Sequence, residues 1–171
     1  MIVTITGTPG TGKTSVLKSL DTNFRKVHLT EYIQENEIGE NTDDVTEVDT
    51  YLLKEKISED INDGEEDVII EGHLAHHIDS DLCIVLRCNP EKLEERLSQR
   101  DYSQNKVMEN VESEALDVIL SETVHTQKNV LEIDTTHKEL DEVVEEVKEG
   151  IEKEKTGYGG VDWSESFQEL F

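Results

Sequence analysis

Eight residues near the start of the chain have the types and the spacing needed to hold phosphate groups. Residues 7–14, Gly-Thr-Pro-Gly-Thr-Gly-Lys-Thr, match the pattern G-x-x-x-x-G-K-[ST] and lie between an apolar run and a helical pattern. The glycines let backbone N–H groups converge on the β- and γ-phosphates of a nucleotide at a helix N-terminus, whose dipole favours anions. Lys13 is expected to reach the transferring phosphate, and Thr14 is expected to offer its hydroxyl to Mg²⁺. The motif therefore predicts a site for ATP and Mg²⁺.

A second candidate group lies at the end of another apolar run, where Val-Ile-Ile is followed by Glu71, Gly72 and His73. A carboxylate in that place of a nucleotide-binding protein steadies the water shell of Mg²⁺ or orients an attacking group. The alternative is a strand-end acid with a purely structural role. His73 is a candidate for polarising a water or a substrate oxygen, whereas His76 and His77 are interpreted as loop caps. A metal site built from these histidines is not favoured, because no cysteine or second cluster completes it.

Arginine is rare and clustered. The chain has 12 Lys and 4 Arg, and Arg87, Arg96 and Arg100 lie within 14 residues of one another. Phosphoryl transfer through a loose transition state needs planar, bidentate donors, which lysine replaces poorly. Arg100 is the favoured candidate, since a polar segment follows it. The alternative is that these arginines pair with nearby acids on a solvated helix, namely Glu91, Glu94 and Glu95.

Periodicity predicts the elements that position these residues. Continuous apolar or β-rich runs predict strands at residues 1–6, about 26–29, 67–72, 82–88 and 129–133. Helical spacing predicts a helix after the phosphate-binding motif, one of about three turns with Asp49 as N-cap, one with Asn89 as N-cap and Pro90 in the first turn, one from Val107 to Ile119, and a last one over 136–152. This alternation predicts an α/β fold with a parallel sheet covered on both faces and a ligand at the carboxyl ends of the strands.

Charge excludes several classes of partner. The 171 residues carry 41 Asp and Glu against 16 Lys and Arg, for a formal net charge of −25. Most of such a surface repels a phosphate backbone, so tight, non-specific nucleic-acid binding and an anionic membrane are disfavoured. The acids are spread along periodic elements, which favours adaptation to molar salt in a halophile over an acidic interaction protein.

The remaining composition points to the cytoplasm. No apolar stretch reaches the roughly 18 to 20 residues of a transmembrane helix, and the N-terminus lacks the charged front of a secretory signal. We therefore expect a soluble, cytoplasmic protein. Cys83 and Cys88 flank an apolar run and are expected to be reduced packing residues.

Four segments together resemble the small adenylate-kinase-like family known as adenylate kinase isoenzyme six. They are GTPGTGKTS from residue 7, Glu71-Gly72-His73, CIVLRCNPEKLEERLSQRDY from residue 83 and NKVMENVESEALDVI from residue 105. The resemblance covers roughly residues 1–150 and departs from the family pattern at Glu71, where aspartate is usual, and at Asp101, where glycine is usual.

The resemblance implies a three-layer P-loop nucleoside monophosphate kinase fold. It implies a kinase domain over residues 1–153 and an acidic C-terminal tail over 154–171, with a monophosphate-binding insert at about 30–50 and a short lid at about 99–109. By the same resemblance, Arg100 is the lid arginine, Glu71 holds Mg²⁺ through water, and the ATP contacts come from Gly10, Gly12, Lys13, Thr14, Ser15 and Arg100.

The implied activity is a broad-specificity nucleoside monophosphate kinase, converting ATP and AMP to two ADP, with ATPase activity. Lys13, Arg100, Glu71 and His73 are its expected catalytic residues. The family further implies a role in 16S rRNA maturation of the small ribosomal subunit beside a basic platform ribosomal protein. An alternative is a ribosome-assembly ATPase switch with incidental kinase activity, and a third is another small-metabolite kinase.

The acceptor side is poor in cations. Lys54 and Lys56 are the only ones from Glu31 to Asp67. Backbone N–H groups, or Arg25 and Lys26, are therefore expected to hold the AMP phosphate, with weak AMP binding at low salt.

Overall fold

A five-stranded parallel sheet forms the centre of the protein. The structure is a computed structural model and describes residues 1–42, 45–62 and 66–170. The strand order is β2-β5-β1-β6-β7, and the strands are β1 (Ile2–Thr6), β2 (Arg25–His28), β5 (Val68–Glu71), β6 (Leu82–Arg87) and β7 (Val130–Asp134). A separate antiparallel hairpin pairs β3 (Glu40–Thr42) with β4 (Val45–Glu47). The predicted parallel α/β sheet is confirmed.

Helices cover both faces of the sheet. They are α1 (Lys13–Ser19), α2 (Leu29–Glu35), α3 (Thr50–Asn62), α4 (Pro90–Ser98), α5 (Gln104–Ala115), α6 (Val118–Thr126), α7 (Leu140–Glu152) and α8 (Ser164–Leu170). Two predicted caps are confirmed. The Asn89 side chain accepts from the backbone N–H groups of Glu91 and Lys92, and Asp49 accepts from those of Tyr51 and Leu52.

Successive side chains of β5 point to opposite faces of the sheet and pack into two different hydrophobic cores. Ile69 packs with Val3, Ile84 and the apolar sides of α1 and α7, while Val68 and Ile70 pack with residues of α2 and α3. Because successive strand residues point to opposite faces, one short strand serves both layers. Cys83 and Cys88 are free and buried, as expected.

Two predicted helix boundaries are wrong. The helix predicted from Val107 to Ile119 is broken at Asp117, whose φ of 54° is left-handed and ends α5 before α6 begins. The last helix begins at Leu140 and not at 136, because Glu139 is its N-cap and the Glu142 carboxylate accepts from the Glu139 N–H at 2.7 Å.

The acidic region, residues 31–67, and the C-terminal tail contain more regular structure than predicted. Helix α2 and the β3–β4 hairpin lie in the acidic region. Three glycines within residues 157–160 and the lack of a helical or strand period predict a tail that is mobile or docks by Trp163, Phe167 and Phe171, and the tail docks. Gly157 exchanges two backbone hydrogen bonds with β7, to Val130 and Glu132, and α8 follows. Phe171 lies outside the described residues. In the described ranges, no helix combines the length and the apolar character required to span a bilayer.

Candidate active site

The phosphate-binding motif forms the loop between β1 and α1, at the carboxyl edge of the sheet. Gly10 and Gly12 have φ angles of 94° and 99°, which disfavour any side chain at either position. A Cβ at Gly10 would also lie 2.9 Å from the side chains of Leu93 and Leu97. The loop is therefore fixed by its own backbone and by α4 beneath it, with α1 starting at Lys13.

The Lys13 side chain folds back onto the phosphate-binding loop and donates hydrogen bonds to it. Its Nζ donates to the carbonyl oxygens of Gly7 at 2.7 Å and Thr8 at 3.0 Å, and the residue is 8% exposed. Burial lowers the pKa of Lys13 to about 8, while Glu71 and Glu114 act in the opposite direction. An anionic phosphate can replace these carbonyl partners, and its negative charge would raise the pKa of Lys13 again.

Glu71 stands beside Thr14 at the end of β5. Its Oε1 accepts from the Thr14 hydroxyl at 3.1 Å and lies 2.9 Å from His28 Nδ1. Pairing of β2 with β5 places His28 opposite Glu71, a contact that the sequence prediction missed although the predicted strand contained His28. A hydroxyl and a carboxylate side by side provide the oxygen donors that Mg²⁺ prefers, so these residues fit that ion.

One cavity of about 530 Å³ brings most of the predicted residues together. It is lined by the loop, by the start of α1, by Glu71 and His73, and by the segment after α4; its members include Pro9, Gly10, Gly12, Lys13, Thr14, Ser15, Thr30, Arg100, Tyr102, Lys106, Asn110 and Ser113. Lys106 and Asn110 were missed by the sequence analysis. Lys106 lies in the first turn of α5, where helical spacing alone does not show that it faces the loop.

His73 lines this cavity, and its surroundings favour the neutral imidazole, which carries one N–H. Partial removal from water, together with the positive charge of Lys13, lowers its pKa to about 4 although the residue is exposed at the cleft. A neutral imidazole can accept a hydrogen bond from a water or a substrate hydroxyl.

A second cavity, of about 310 Å³, lies on the other side of the loop. Its lining includes Gly12, Arg96, Arg100, Thr135 and Lys138. Arg96 holds the loop by donating to the carbonyl oxygens of Gly10 at 3.5 Å and Thr135 at 3.2 Å. Arg100 lines both cavities, so it stands where groups bound on the two sides of the loop would meet.

Two expectations from the sequence are wrong. Arg87 is neither a phosphate ligand nor a partner of the α4 acids, because it is 1% exposed and its guanidinium pairs with Glu114, Asp117 and Glu132. Arg25 and Lys26 cannot reach an acceptor phosphate in the cleft. They begin β2 at the amino edge of the sheet, where Lys26 Nζ donates to the Leu20 carbonyl oxygen.

His76 and His77 form the turn after β5. His76 is buried, with Nδ1 3.1 Å from the Thr6 hydroxyl and Nε2 2.9 Å from Glu122. Ligand atoms of His76, His77 and Glu122 lie within 4.8 Å of one another, but both His76 nitrogens already have protein partners. We therefore interpret His76 and His77 as residues that stabilise this turn.

Comparison with known proteins identifies the family of the chain. A family model described as AAA domain matches residues 3–117. The chain is 44% identical over 173 residues to a protein of Thermococcus gammatolerans named "Putative adenylate kinase", with 99% of this chain and 97% of that protein covered. It is 42% identical to a protein of the same name from Natronomonas pharaonis, with coverages of 96% and 99%.

Solved structures of similar shape include a shikimate kinase from Bacteroides thetaiotaomicron and a gluconokinase from Sinorhizobium meliloti. The TM-scores are 0.59 and 0.53, with sequence identities of 18% and 15%. The first similarity covers 89% of this chain and 98% of the other, and the second covers 88% and 91%. At these identities the similarity shows the three-layer P-loop kinase fold alone.

Proposed function

Since the chain belongs to the family of the archaeal proteins named "Putative adenylate kinase", we propose that it transfers the γ-phosphoryl group of ATP to AMP or another nucleoside monophosphate. The bond between the β,γ-bridging oxygen and the γ-phosphorus breaks, a bond from an acceptor phosphate oxygen forms, and two ADP result when AMP is the acceptor. The observation that carries this proposal is the pair of cavities on the two sides of one phosphate-binding loop, which share Arg100. A transferase needs two such sites in line, whereas a simple binding protein needs one.

The donor nucleotide belongs over the loop. Its phosphates would accept from the loop N–H groups and from Lys13, while its nucleoside would occupy the cavity beside Arg96, Thr135 and Lys138. Thr14, with Glu71 acting through water, would hold Mg²⁺, which supplies neutralisation of the phosphate charge when bound.

The acceptor phosphate belongs in the larger cavity. Lys106 and Arg100 contribute the positive charges on the side facing Glu71 and His73, and Asn110 adds an amide. We assign the lid to residues 99–109, which carry Arg100 and Lys106, and the monophosphate-binding insert to residues 30–50, which begin at Thr30 of the same cavity. We assign residues 1–153 to the kinase domain and residues 154–171 to a C-terminal tail that follows it.

Positioning accounts for the chemistry without a dedicated base. An AMP phosphate is already ionised at neutral pH, so no proton has to be removed before attack. Lys13 and Arg100 would stabilise the charge on the equatorial oxygens, and the lid would exclude water. We expect the reaction to take place in the cytoplasm.

The test measures ADP release with ATP alone, with ATP plus AMP, and with ATP plus a basic ribosomal protein of the small subunit. We expect AMP to stimulate release strongly, with two ADP formed for each ATP consumed. A Lys13→Met variant is the control for contaminating kinases and should show no stimulation. Stimulation by the protein and none by AMP would overturn the proposal.

A second candidate function is ATP hydrolysis coupled to assembly of the small ribosomal subunit. The neutral His73 beside Lys13 favours it, because such an imidazole can orient a water toward the γ-phosphate. The net charge of −25 favours a basic protein partner over RNA. Under this function, His73→Ala should abolish hydrolysis and leave AMP phosphorylation largely intact. Equal loss of the two activities would contradict a separate hydrolytic role.

A further inference from the structure

Glu114, the second-last residue of α5, accepts hydrogen bonds from four residues in three separate parts of the chain. It is 2% exposed. Its Oε1 accepts from Arg87 Nε at 2.8 Å, from the Cys88 N–H at 3.2 Å and from Trp163 Nε1 at 3.3 Å. Its Oε2 accepts from the Thr8 hydroxyl at 2.5 Å. A buried carboxylate with this many donors is fixed in orientation.

Charge balance alone does not require Glu114. The Arg87 guanidinium also pairs with Glu132 at 2.7 Å and with Asp117, so its single charge has two other carboxylate partners. A third carboxylate adds a desolvation cost, because burying an ion is unfavourable. The interaction that Glu114 adds is the one to Thr8, inside the phosphate-binding loop.

Thr8 transmits this contact to the reactive lysine. An ionised carboxylate only accepts hydrogen bonds, so the Thr8 hydroxyl donates to Glu114 and its side chain is held in place. The Thr8 carbonyl oxygen in turn accepts from Lys13 Nζ at 3.0 Å and from the Thr11 hydroxyl at 2.9 Å. Glu114 therefore fixes the position of Thr8, whose carbonyl oxygen accepts the hydrogen bond from Lys13.

The C-terminal segment 157–170 reaches the same cluster from outside. Trp163 donates to Glu114, and its ring lies 5.8 Å from the Arg87 guanidinium carbon. Glu132 Oε2 accepts from the N–H groups of Gly159 and Gly160 at 2.8 and 3.1 Å. The docked segment thus completes the donor set of two buried carboxylates.

We propose that Glu114 is a positioning residue for the phosphate-binding loop, and that the docked segment 157–170 tightens ATP binding through it. The inference rests on the proposed function only in taking ATP as the ligand of this loop. Docking and ATP binding favour the same loop arrangement, so each should strengthen the other by the same factor.

The sequence provides a probe for this coupling. Trp163 is the single tryptophan of the chain, so fluorescence excited selectively at tryptophan reports on the docked segment alone. We expect ATP with Mg²⁺ to shift the Trp163 emission in the full-length protein, although Trp163 lines neither of the two cavities. An emission spectrum that is unchanged at saturating ATP would overturn the proposal.

Paired variants separate coupling from general stability. Thr8→Val removes the hydroxyl and should weaken ATP binding, measured by calorimetry, by about three- to tenfold and reduce the fluorescence response at saturation. Thr8→Ser keeps the hydroxyl and should behave like the parent protein. Trp163→Phe should weaken ATP binding about two- to threefold, whereas Tyr158→Phe, in the same segment but 61% exposed, should not.

A purely structural role would give a different result. In that case Thr8→Val and Trp163→Phe would lower the melting temperature and leave the ATP dissociation constant of the folded protein equal to that of the parent, as Tyr158→Phe does, which contradicts the proposal. If Thr8→Val does not fold, Trp163→Phe alone decides. These measurements need neither AMP nor turnover, so failure of the kinase proposal would appear separately in the ADP assay.

Discussion

Arg100 is the residue whose removal should separate catalysis from binding. It lines both cavities and is exposed, whereas the neighbouring Arg96 is bonded to the carbonyl oxygens of Gly10 and Thr135. Arg96 therefore supports the loop, whereas Arg100, under the proposed function, would cover charge that develops between donor and acceptor.

We predict that Arg100→Met lowers kcat by a factor on the order of 10³ and changes the KM for ATP by less than about tenfold. Arg25→Met, at the amino edge of the sheet, is the matched control and should leave both constants unchanged. The measurement is steady-state ADP formation with AMP. A fall in kcat of less than about threefold would contradict the assigned role.

The lowered pKa of Lys13 predicts a pH dependence of ATP binding. The free protein loses the lysine proton above about pH 8, and only the protonated form attracts the phosphates. ATP should therefore bind about tenfold more weakly at pH 9 than at pH 7, with proton uptake on binding. Calorimetry in buffers of different ionisation enthalpy measures both quantities. Lys13→Met should lack this dependence, and an identical pH profile in the two proteins would contradict the prediction.

The sequence reveals most readily those site residues that lie next to one another in the chain. The loop glycines, Lys13 and Thr14 occupy one continuous motif, so spacing alone makes them candidates. Arg87 was misjudged because two of its buried partners, Glu114 and Glu132, lie 27 and 45 residues away. Such contacts depend on strand order, which apolar periodicity does not give.

At the scale of elements, α4 links the loop to the tail. Its Leu93 and Leu97 pack under Gly10, and its N-cap Asn89 also donates through Nδ2 to the Ser166 hydroxyl of α8 at 3.3 Å. Its boundaries were predictable because Asn89 and Pro90 are local signals. The break at Asp117 was not, because the apolar stripe runs through it and the turn is held by the distant Arg87.

We predict that Asn89→Ala lowers the free energy of unfolding by about 1 kcal/mol, since two backbone N–H groups of α4 lose their acceptor. Asn89→Ser retains a capping oxygen and should cost only a few tenths of that. Ser166→Ala removes only the hydrogen bond between Asn89 and the tail, and therefore shows how much of the loss comes from that contact. Urea denaturation measures all three variants, and equal losses for Ala and Ser at position 89 would argue against the cap.

Across the whole molecule, the few basic residues are enriched at the two cavities of the candidate site. Five of the 16 Lys and Arg residues line the two cavities, namely Lys13, Arg96, Arg100, Lys106 and Lys138. The same chain carries 41 acids. Anionic ligands are therefore attracted to one cleft and repelled by much of the remaining surface, which suits nucleotides better than a nucleic-acid backbone.

This charge distribution predicts stabilisation by salt. Counterions at molar concentration screen repulsion between surface carboxylates over about 3 Å, so the melting temperature should climb steeply from dilute buffer toward molar KCl. Thermal unfolding across a KCl series measures the effect, with an adenylate kinase of near-zero net charge as the reference. A flat profile would contradict adaptation to high salt.

Label transfer tests the central claim most directly. The protein is incubated with ATP labelled at the γ-phosphorus, unlabelled AMP and Mg²⁺, and the products are separated. If the loop joins a donor site to an acceptor site, most of the label should appear in ADP, with little in inorganic phosphate, and Lys13→Met should yield neither product. Label that accumulates in inorganic phosphate at the same rate with and without AMP would contradict phosphoryl transfer between nucleotides.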